Sequence, residues 1–193
     1  GETMKVSVII VSFNAAGLLR ECLRSLFQTS TRHELEVVIV DNDSADDSVA
    51  MMRESFPQVI LLENNWNAGF AAGVNQGYAV SSGDYVFLFN PDARLKPGAI
   101  DRAVDFMESH PECGICGARL LNPAGGLEPS ARRFPSALYK FLTTSGLSTH
   151  FPNSKLFGKG DYRYFDHNSV LEVDWVPGTF SAIRRTMLEQ LGF

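Results

Sequence analysis

The sequence predicts an α/β fold, a mostly parallel sheet flanked by helices. Three observations predict it. Between Lys5 and Asp92, short Val/Ile-rich or aromatic runs alternate with segments of helical periodicity. The runs are continuously apolar, as strands buried on both faces of a parallel sheet are. Each run ends in a polar cluster: Ser12 to Asn14, Asp41 to Ser44, Glu63 to Asn67, Asn90 to Asp92. Short connections and right-handed crossovers place those strand ends on one edge of the sheet, so the clusters converge on one crevice.

Lys5 to Phe13 is the first expected strand, carried by Val6, Val8, Ile9, Ile10 and Val11. Ala15 to Gln28 follows as a helix, with Leu18, Leu19, Cys22, Leu23, Leu26 and Phe27 at helical spacing. Glu36 to Val40 is the second strand. Ser44 and Asp47 match a capping box for a helix over Ala45 to Ser55, closed by Pro57. Val59 to Leu62 is a third strand, and Gly69 to Ser81 a helix rich in small residues that permits close approach to a sheet. Asp84 to Phe89 is the fourth strand, which Pro91 stops because it cannot donate to a central ladder. Pro97 to Ser109 reads as a helix, Cys113 to Leu121 as a strand and Asn122 to Gly126 as a turn. Leu127 to Ser169 has no clear period and reads as long loops and short helices. Leu171 to Val176 and Phe180 to Ile183 read as strands, and Thr186 to Leu191 as a helix.

The 193 residues, 45% of them hydrophobic, suffice for one core. The expectation is one domain over residues 4–193, with residues 4–95 binding a donor and residues 96–193 facing an acceptor. A net charge of -5 without a basic run speaks against bulk nucleic-acid binding. No apolar run approaches the ~20 residues of a membrane span. Three cysteines, an odd number, make no disulfide framework, so a reducing cytoplasm is the expected setting.

In open α/β sheets, ligands bind beyond the carboxyl ends of the strands. Asp92 lies just past such an end and is the candidate ligand of a divalent metal. The motifs that carry a resemblance come next in order. They are Val8-Ile9-Ile10-Val11-Ser12-Phe13-Asn14, Val40-Asp41-Asn42-Asp43-Ser44 and Asn67-Ala68-Gly69-Phe70-Ala71-Ala72-Gly73-Val74-Asn75. Leu88-Phe89-Asn90-Pro91-Asp92 and Val173-Asp174-Trp175-Val176-Pro177-Gly178 follow, with a basic pair at Arg184-Arg185. In this run of motifs the chain resembles family 2 inverting glycosyltransferases of the GT-A fold, the nucleotide-diphospho-sugar transferase fold, and within them the rhamnosyltransferase-like branch. The resemblance covers Met4 to Phe193.

The resemblance implies a nucleotide-diphospho-sugar donor and a Mg²⁺ or Mn²⁺ cofactor. It implies that Asp41 accepts a hydrogen bond from the base or ribose, with Ser12 and Asn14 flanking the base. Asn67, Gly69 and Asn75 match the element beside the diphosphate and sugar. Asp92 matches the last position of the family's D-x-D metal motif. The first position is Asn90 here, which leaves one carboxylate, and Mg²⁺ typically takes one or two along with phosphates and waters. Arg132, Arg133, Trp175, Gly178 and Arg184 are candidate acceptor or phosphate contacts. In the family a Glu-Asp pair follows the Gly-Phe at the position of Gly192-Phe193, and its Asp is the general base. The base is therefore expected beyond Phe193, the chain is expected to be truncated, and by itself it is expected to bind nucleotide but transfer sugar poorly.

The implied function is transfer of a sugar, L-rhamnose from dTDP-L-rhamnose, with inversion, onto a polysaccharide or lipid-linked saccharide acceptor in cell-surface glycan synthesis. Galactofuranose, glucose and N-acetylglucosamine donors are the alternatives, as is a nucleotide-sugar-binding domain without catalysis. The implied location is the cytoplasm, with peripheral contact at the cytoplasmic face of the inner membrane. A nucleotidyltransferase lacks support, because Ser12-Phe13-Asn14 is not a Gly-rich loop. Cys113 and Cys116 form a lone C-x-x-C in an apolar stretch and are expected to be core thiols. Phe134, Tyr139, Phe141, Phe151, Phe157, Tyr162, Tyr164 and Phe165 are expected to fill a satellite core rather than to touch a membrane.

Overall fold

The computed structural model describes residues 2–128, 130–131, 134, 140–141, 144–146, 150, 154, 162, 165 and 167–192. The elements are β1 (Lys5–Ser12), α1 (Ala16–Gln28), β2 (Glu34–Asn42), α2 (Ser48–Ser55), β3 (Ile60–Asn64), α3 (Phe70–Val80) and β4 (Tyr85–Phe89). Then come α4 (Ala99–Ser109), β5 (Ile115–Gly117), β6 (Leu120–Leu121), β7 (Leu127–Glu128), β8 (Phe180–Arg184) and α5 (Arg185–Leu191).

Six strands form the central sheet in the order β3-β2-β1-β4-β8-β5. The first four are parallel. β1 pairs with β2 from Lys5↔Glu34 to Ser12↔Asp41, and with β4 from Val6↔Tyr85 to Ile9↔Leu88. β8 runs antiparallel to β4, from Tyr85↔Arg184 to Phe89↔Phe180. The strand order reverses between β1 and β4, and in such sheets the ligand crevice opens at the carboxyl ends of the two strands at that switch point. The core holds Ile9, Val38, Val86, Ile183 and Leu188, with Leu62, Tyr78, Leu88 and Met187 packed against them. Phe180 sets its ring edge-on to both Phe87 and Phe89.

Helix α3 lies on β1 and β2 with almost nothing between. A Cβ on Gly77 would stand 2.6 Å from Ile9 Cγ2, and one on Gly73 2.8 Å from Val11 Cγ1. The small residues of that helix therefore let it seat directly on the sheet.

The chain divides into two compact units, residues 1–116 with 178–193, and residues 117–177. In the second, β6 and β7 form a hairpin closed by Asn122 N donating to Gly126 O at 2.8 Å. Ser130 Oγ donates to Ala118 O, and the Phe134 amide to Asp174 Oδ2 at 2.8 Å. Phe134 and Phe141 are exposed while Tyr162 is buried. Tyr139, Phe151, Phe157 and Tyr164 lie outside the described residues. Among the described residues no helix is long and apolar enough to cross a membrane.

Several local expectations give way. The Ser44–Asp47 capping box does not form. The Ser44 hydroxyl donates to Asp41 Oδ2 instead, and α2 begins only at Ser48, whose amide and hydroxyl both bond Asp46. β2 and β3 run on through polar residues, because the parallel ladder continues to Asp41↔Glu63 and Asn42↔Asn64. The expected strand over Cys113 to Leu121 is broken into β5 and β6. Gly117 stands at the break, where a Cβ would lie 2.5 Å from Val176 Cγ1, and a glycine weakens a strand interior. Leu171 to Val176 is not a strand. Val170 and Trp175 are exposed there, while Leu171, Val173 and Val176 are half-buried. Cys22 is fully buried, whereas Cys113 and Cys116 are half-buried free thiols.

Candidate functional site

The carboxyl edge at the switch point collects the polar clusters. Ser12 ends β1 almost fully buried, its hydroxyl without a hydrogen-bond partner among the described residues. Phe13 follows with half its surface exposed. Asn14 turns the chain in the left-handed region, at φ 49°.

The β1–α1 turn is stitched to the loop after β2. The Asn14 amide donates to Ser44 Oγ at 2.9 Å, the Ala45 amide to Asn14 Oδ1 at 2.8 Å, and the Ala16 amide to Asp46 Oδ2 at 2.9 Å. Asn14 is thus engaged in holding two loops together. Asp41 is 1% exposed, and its oxygens accept from the Ser44 amide at 2.9 Å and the Ser44 hydroxyl at 2.7 Å. Each carboxylate oxygen keeps a further lone pair. Hydrogen bonds from Ser48, Ala16 and its own backbone hold Asp46 below the usual carboxylate range, outweighing the upward push of desolvation.

Asn67 Oδ1 accepts from the Gly69 amide at 2.9 Å. Gly69 sits at φ 81°, ψ 174°, a backbone essentially confined to glycine. Phe70 opens α3 half-exposed, and a Cβ on Gly178 would lie 3.4 Å from its ring. Gly178 therefore belongs to this edge, next to the point where the Asn90 amide donates to Thr179 O.

Asn90 to Ala93 form a turn closed by Ala93 N donating to Asn90 O at 3.1 Å. Helix α1 supports it from beneath. Cys22 Sγ lies 3.6 Å from Asn90 O, and the Leu95 amide donates to Ser25 Oγ at 3.0 Å. Burial, with the charge of Asp92 adding to it, pushes the Cys22 thiol up to about 12, so it is a neutral packing group. Asp92 itself is exposed, and among the described residues no hydrogen bond or ion pair engages its carboxylate. Among the described residues no group of three or more His, Cys, Asp or Glu is placed to cage a metal. The donor set at the turn is the exposed Asp92 carboxylate, two residues after Asn90. That set fits a hard cation whose remaining ligands are substrate phosphates and water.

The other candidates divide. Asn75 is exposed on α3 and faces a groove with Tyr78, Ala79, Leu191 and Gly192. Trp175 is 42% exposed and lies in the second unit. Arg132 and Arg133 lie outside the described residues. Arg184 is not brought to the crevice. The antiparallel register sets it opposite Tyr85, at the amino end of β4, where its guanidinium donates to Tyr85 Oη at 2.9 Å and Met107 O at 2.6 Å. Arg185 stays at that edge too, donating to Gly83 O and to Ser81 Oγ at 2.7 Å with its guanidinium over the Tyr78 ring.

Sequence reasoning passed over three carboxamides. Asn42, Asn64 and Gln76 join the ends of β2 and β3 to α3 through hydrogen bonds of 2.8 to 3.1 Å. The available signal was the Asn75-Gln76 pair in a helix otherwise made of small, apolar and aromatic residues, placed after an Asn-rich strand end.

A family model described as Glycosyl transferase family 2 matches residues 7–192. The chain belongs to that family. An N-acetylglucosaminyl-diphospho-decaprenol L-rhamnosyltransferase of Mycobacterium tuberculosis is 26% identical over 96% of this chain and 63% of its own length. A poly(ribitol-phosphate) beta-glucosyltransferase of Bacillus spizizenii is 28% identical over 55% of this chain and 18% of its own. Among solved structures, the mannosyltransferase PcManGT from Pyrobaculum calidifontis, in complex with GDP-Man and Mn²⁺, covers 99% of this chain and 47% of its own at a TM-score of 0.64 and 21% identity. S. aureus TarS in complex with UDP-GlcNAc covers 71% of this chain and 38% of its own at a TM-score of 0.56 and 22% identity. The chain thus spans less than two thirds of the length of these relatives. The fold is the GT-A fold expected from the sequence, and the family is the one its motifs resembled.

Proposed function

We propose that the chain forms the donor-binding part of an inverting glycosyltransferase. It would transfer a sugar, L-rhamnose from dTDP-L-rhamnose, to a polysaccharide or lipid-linked saccharide acceptor in cell-surface glycan synthesis. The work would be done at the cytoplasmic face of the membrane. The observation that carries this reading is the convergence of Ser12, Phe13, Asp41, Asn67–Phe70 and Asn90–Asp92 on one sheet edge at the switch point. The rhamnose donor is supported by the relative that matches 96% of the chain.

In this reading the base lies on the exposed ring of Phe13, since nucleobases stack on aromatic faces. Asp41, held rigid by Ser44, accepts from the base or ribose through its remaining lone pairs, and the unpartnered Ser12 hydroxyl gains a partner beside it. The Asn67–Gly69 turn brings backbone close to the diphosphate, where no side chain intervenes. Asp92 would hold a divalent ion on the donor phosphates, where the ion would supply charge neutralisation for the departing nucleoside diphosphate. Gly178, under Phe70, leaves room on the sugar side of that turn. The acceptor hydroxyl, its proton passing to a general base, then attacks the anomeric carbon as the bond to the nucleoside diphosphate breaks in line behind it, which gives inversion.

A thermal-shift panel of dTDP, UDP and GDP, each with and without Mg²⁺ or Mn²⁺, tests the reading. A nucleotide at 100 times its dissociation constant adds about 2.7 kcal/mol, roughly 5–10 °C for a chain of this size. The expected result is a metal-dependent shift, largest with dTDP, that Asp92→Ala abolishes. No shift with any nucleotide, or an undiminished shift in Asp92→Ala, would overturn it.

A further inference from the structure

Three uncharged amides tie the ends of β2 and β3 to the turn that opens α3. Asn42 is 2% exposed, and its Nδ2 donates to Gly69 O at 3.2 Å. Its Oδ1 accepts from Asn64 Nδ2 at 2.8 Å. Asn64 and Gln76 exchange bonds in both directions, at 2.9 and 3.1 Å. The chain therefore runs from the end of β2, across the end of β3, to the second turn of α3, and returns to the residue that precedes α3.

Gly69 is where positional control is needed. Its carbonyl accepts both the Asn42 amide and Gly73 N, the first bond of the helix. Its φ and ψ lie in a region that local preference does not enforce, so tertiary bonds must hold it. The helix behind it gives the turn little register. Close to the turn α3 meets the sheet through Gly73 and Gly77, and its Tyr78 packs against the core only more than two turns beyond Gly69. Strand alternation completes the arrangement. Successive residues of β2 point to opposite faces, so Asp41 reaches the Ser44 loop while its neighbour Asn42 reaches the α3 turn. One step along one strand thus sets the spacing between the base side and the phosphate side.

We propose that Asn42, Asn64 and Gln76 are positioning residues that hold the Asn67–Gly69 turn at the height required by the donor's diphosphate. This rests on the donor-site reading above. The chain acts on the phosphate end and leaves the base end alone, which a general packing role would not do.

Calorimetric titration of the whole chain with dTDP and dTMP in the presence of Mn²⁺ separates the two, with UDP and UMP or GDP and GMP substituted if those bind instead. Two variants are used. Asn42→Asp keeps the acceptor for Asn64 but faces a carboxylate to the Gly69 carbonyl. Gln76→Met, at the far end of the chain and half-exposed, removes the amide while keeping length. The expected result is that both variants lose about tenfold in diphosphate affinity, the equivalent of ~1.4 kcal/mol, while monophosphate affinity stays within about twofold. Equal losses for both nucleotides in the folded variants, or no loss in either, would overturn the positioning role. Absence of nucleotide binding to the unsubstituted chain would instead overturn the donor-site reading on which it stands.

Discussion

Gly77→Ala isolates the contact that seats α3 on the sheet. The added methyl would stand 2.6 Å from Ile9 Cγ2 and 3.4 Å from Val40 Cγ2, and the first distance is too short for carbon atoms without movement. Two effects oppose each other. Replacing a helical glycine with alanine favours the helix by about 1 kcal/mol. Forcing a methyl into a filled contact costs about 1–3 kcal/mol. Ile9 is 1% exposed within the core and has little room to turn, so the second effect is expected to win by about 1 kcal/mol. That corresponds to a fall in melting temperature of about 2–4 °C. Gly17→Ala is the internal control. Gly17 lies in α1 with nothing within 4 Å of a built Cβ, so only the favourable effect applies and the melting temperature should hold or rise. Differential scanning calorimetry on both variants decides the matter. A Gly77→Ala protein as stable as the unsubstituted chain, or stabilised alongside Gly17→Ala, would refute the direct seating of α3.

Two pH dependences are expected besides. Burial pushes the Glu36 carboxyl up, but bonds from Ser7, Ser82 and Lys5 prevail and hold it at about 2 against an ordinary 4.5. Its contribution is therefore fully present above pH 4.5 and is lost as pH falls towards 2. Acid unfolding curves of Glu36→Gln should lose that part of their slope, and an unchanged slope would refute the network. His33 is buried, its Nδ1 accepting from Met4 N and its Nε2 3.7 Å from Asp101, and desolvation lowers its pKa below 6.5, with Arg32 adding to this against Asp101 and Asp105. Stability should be fullest above pH 6.5 and fall as acid forces a proton onto the ring, a dependence that denaturant melts of His33→Gln should lack.

Most of the fold was legible because its strands are self-announcing. Val8 to Val11, Val37 to Val40 and Tyr85 to Phe89 are apolar on both faces, and α1 carries a plain period. The polar clusters were legible as a crevice because parallel strands share a carboxyl edge whatever their order. Local rules failed where another partner competed for the same atoms. Ser44 has the chemistry of a helix cap, yet Asp41, three residues earlier, takes its hydroxyl. Glu63 and Asn64 look like loop residues, yet the ladder with β2 carries them into a strand.

What the sequence alone determined was therefore the alternation, the parallel start of the sheet, the shared edge at which the polar clusters fall and, by resemblance, the family whose motifs those are. Each follows from residue type and spacing along the chain. What only the tertiary structure decided was register and partnership. β8 returns antiparallel beside β4, which brings Thr179 to Asn90 and carries Arg184 to the far edge of the sheet. The amides of Asn42, Asn64 and Gln76 meet because β2 and β3 end, and α3 begins, at one edge of the sheet. Hydrogen bonds between residues far apart in sequence depend on how strands align, and nothing in local composition encodes that alignment.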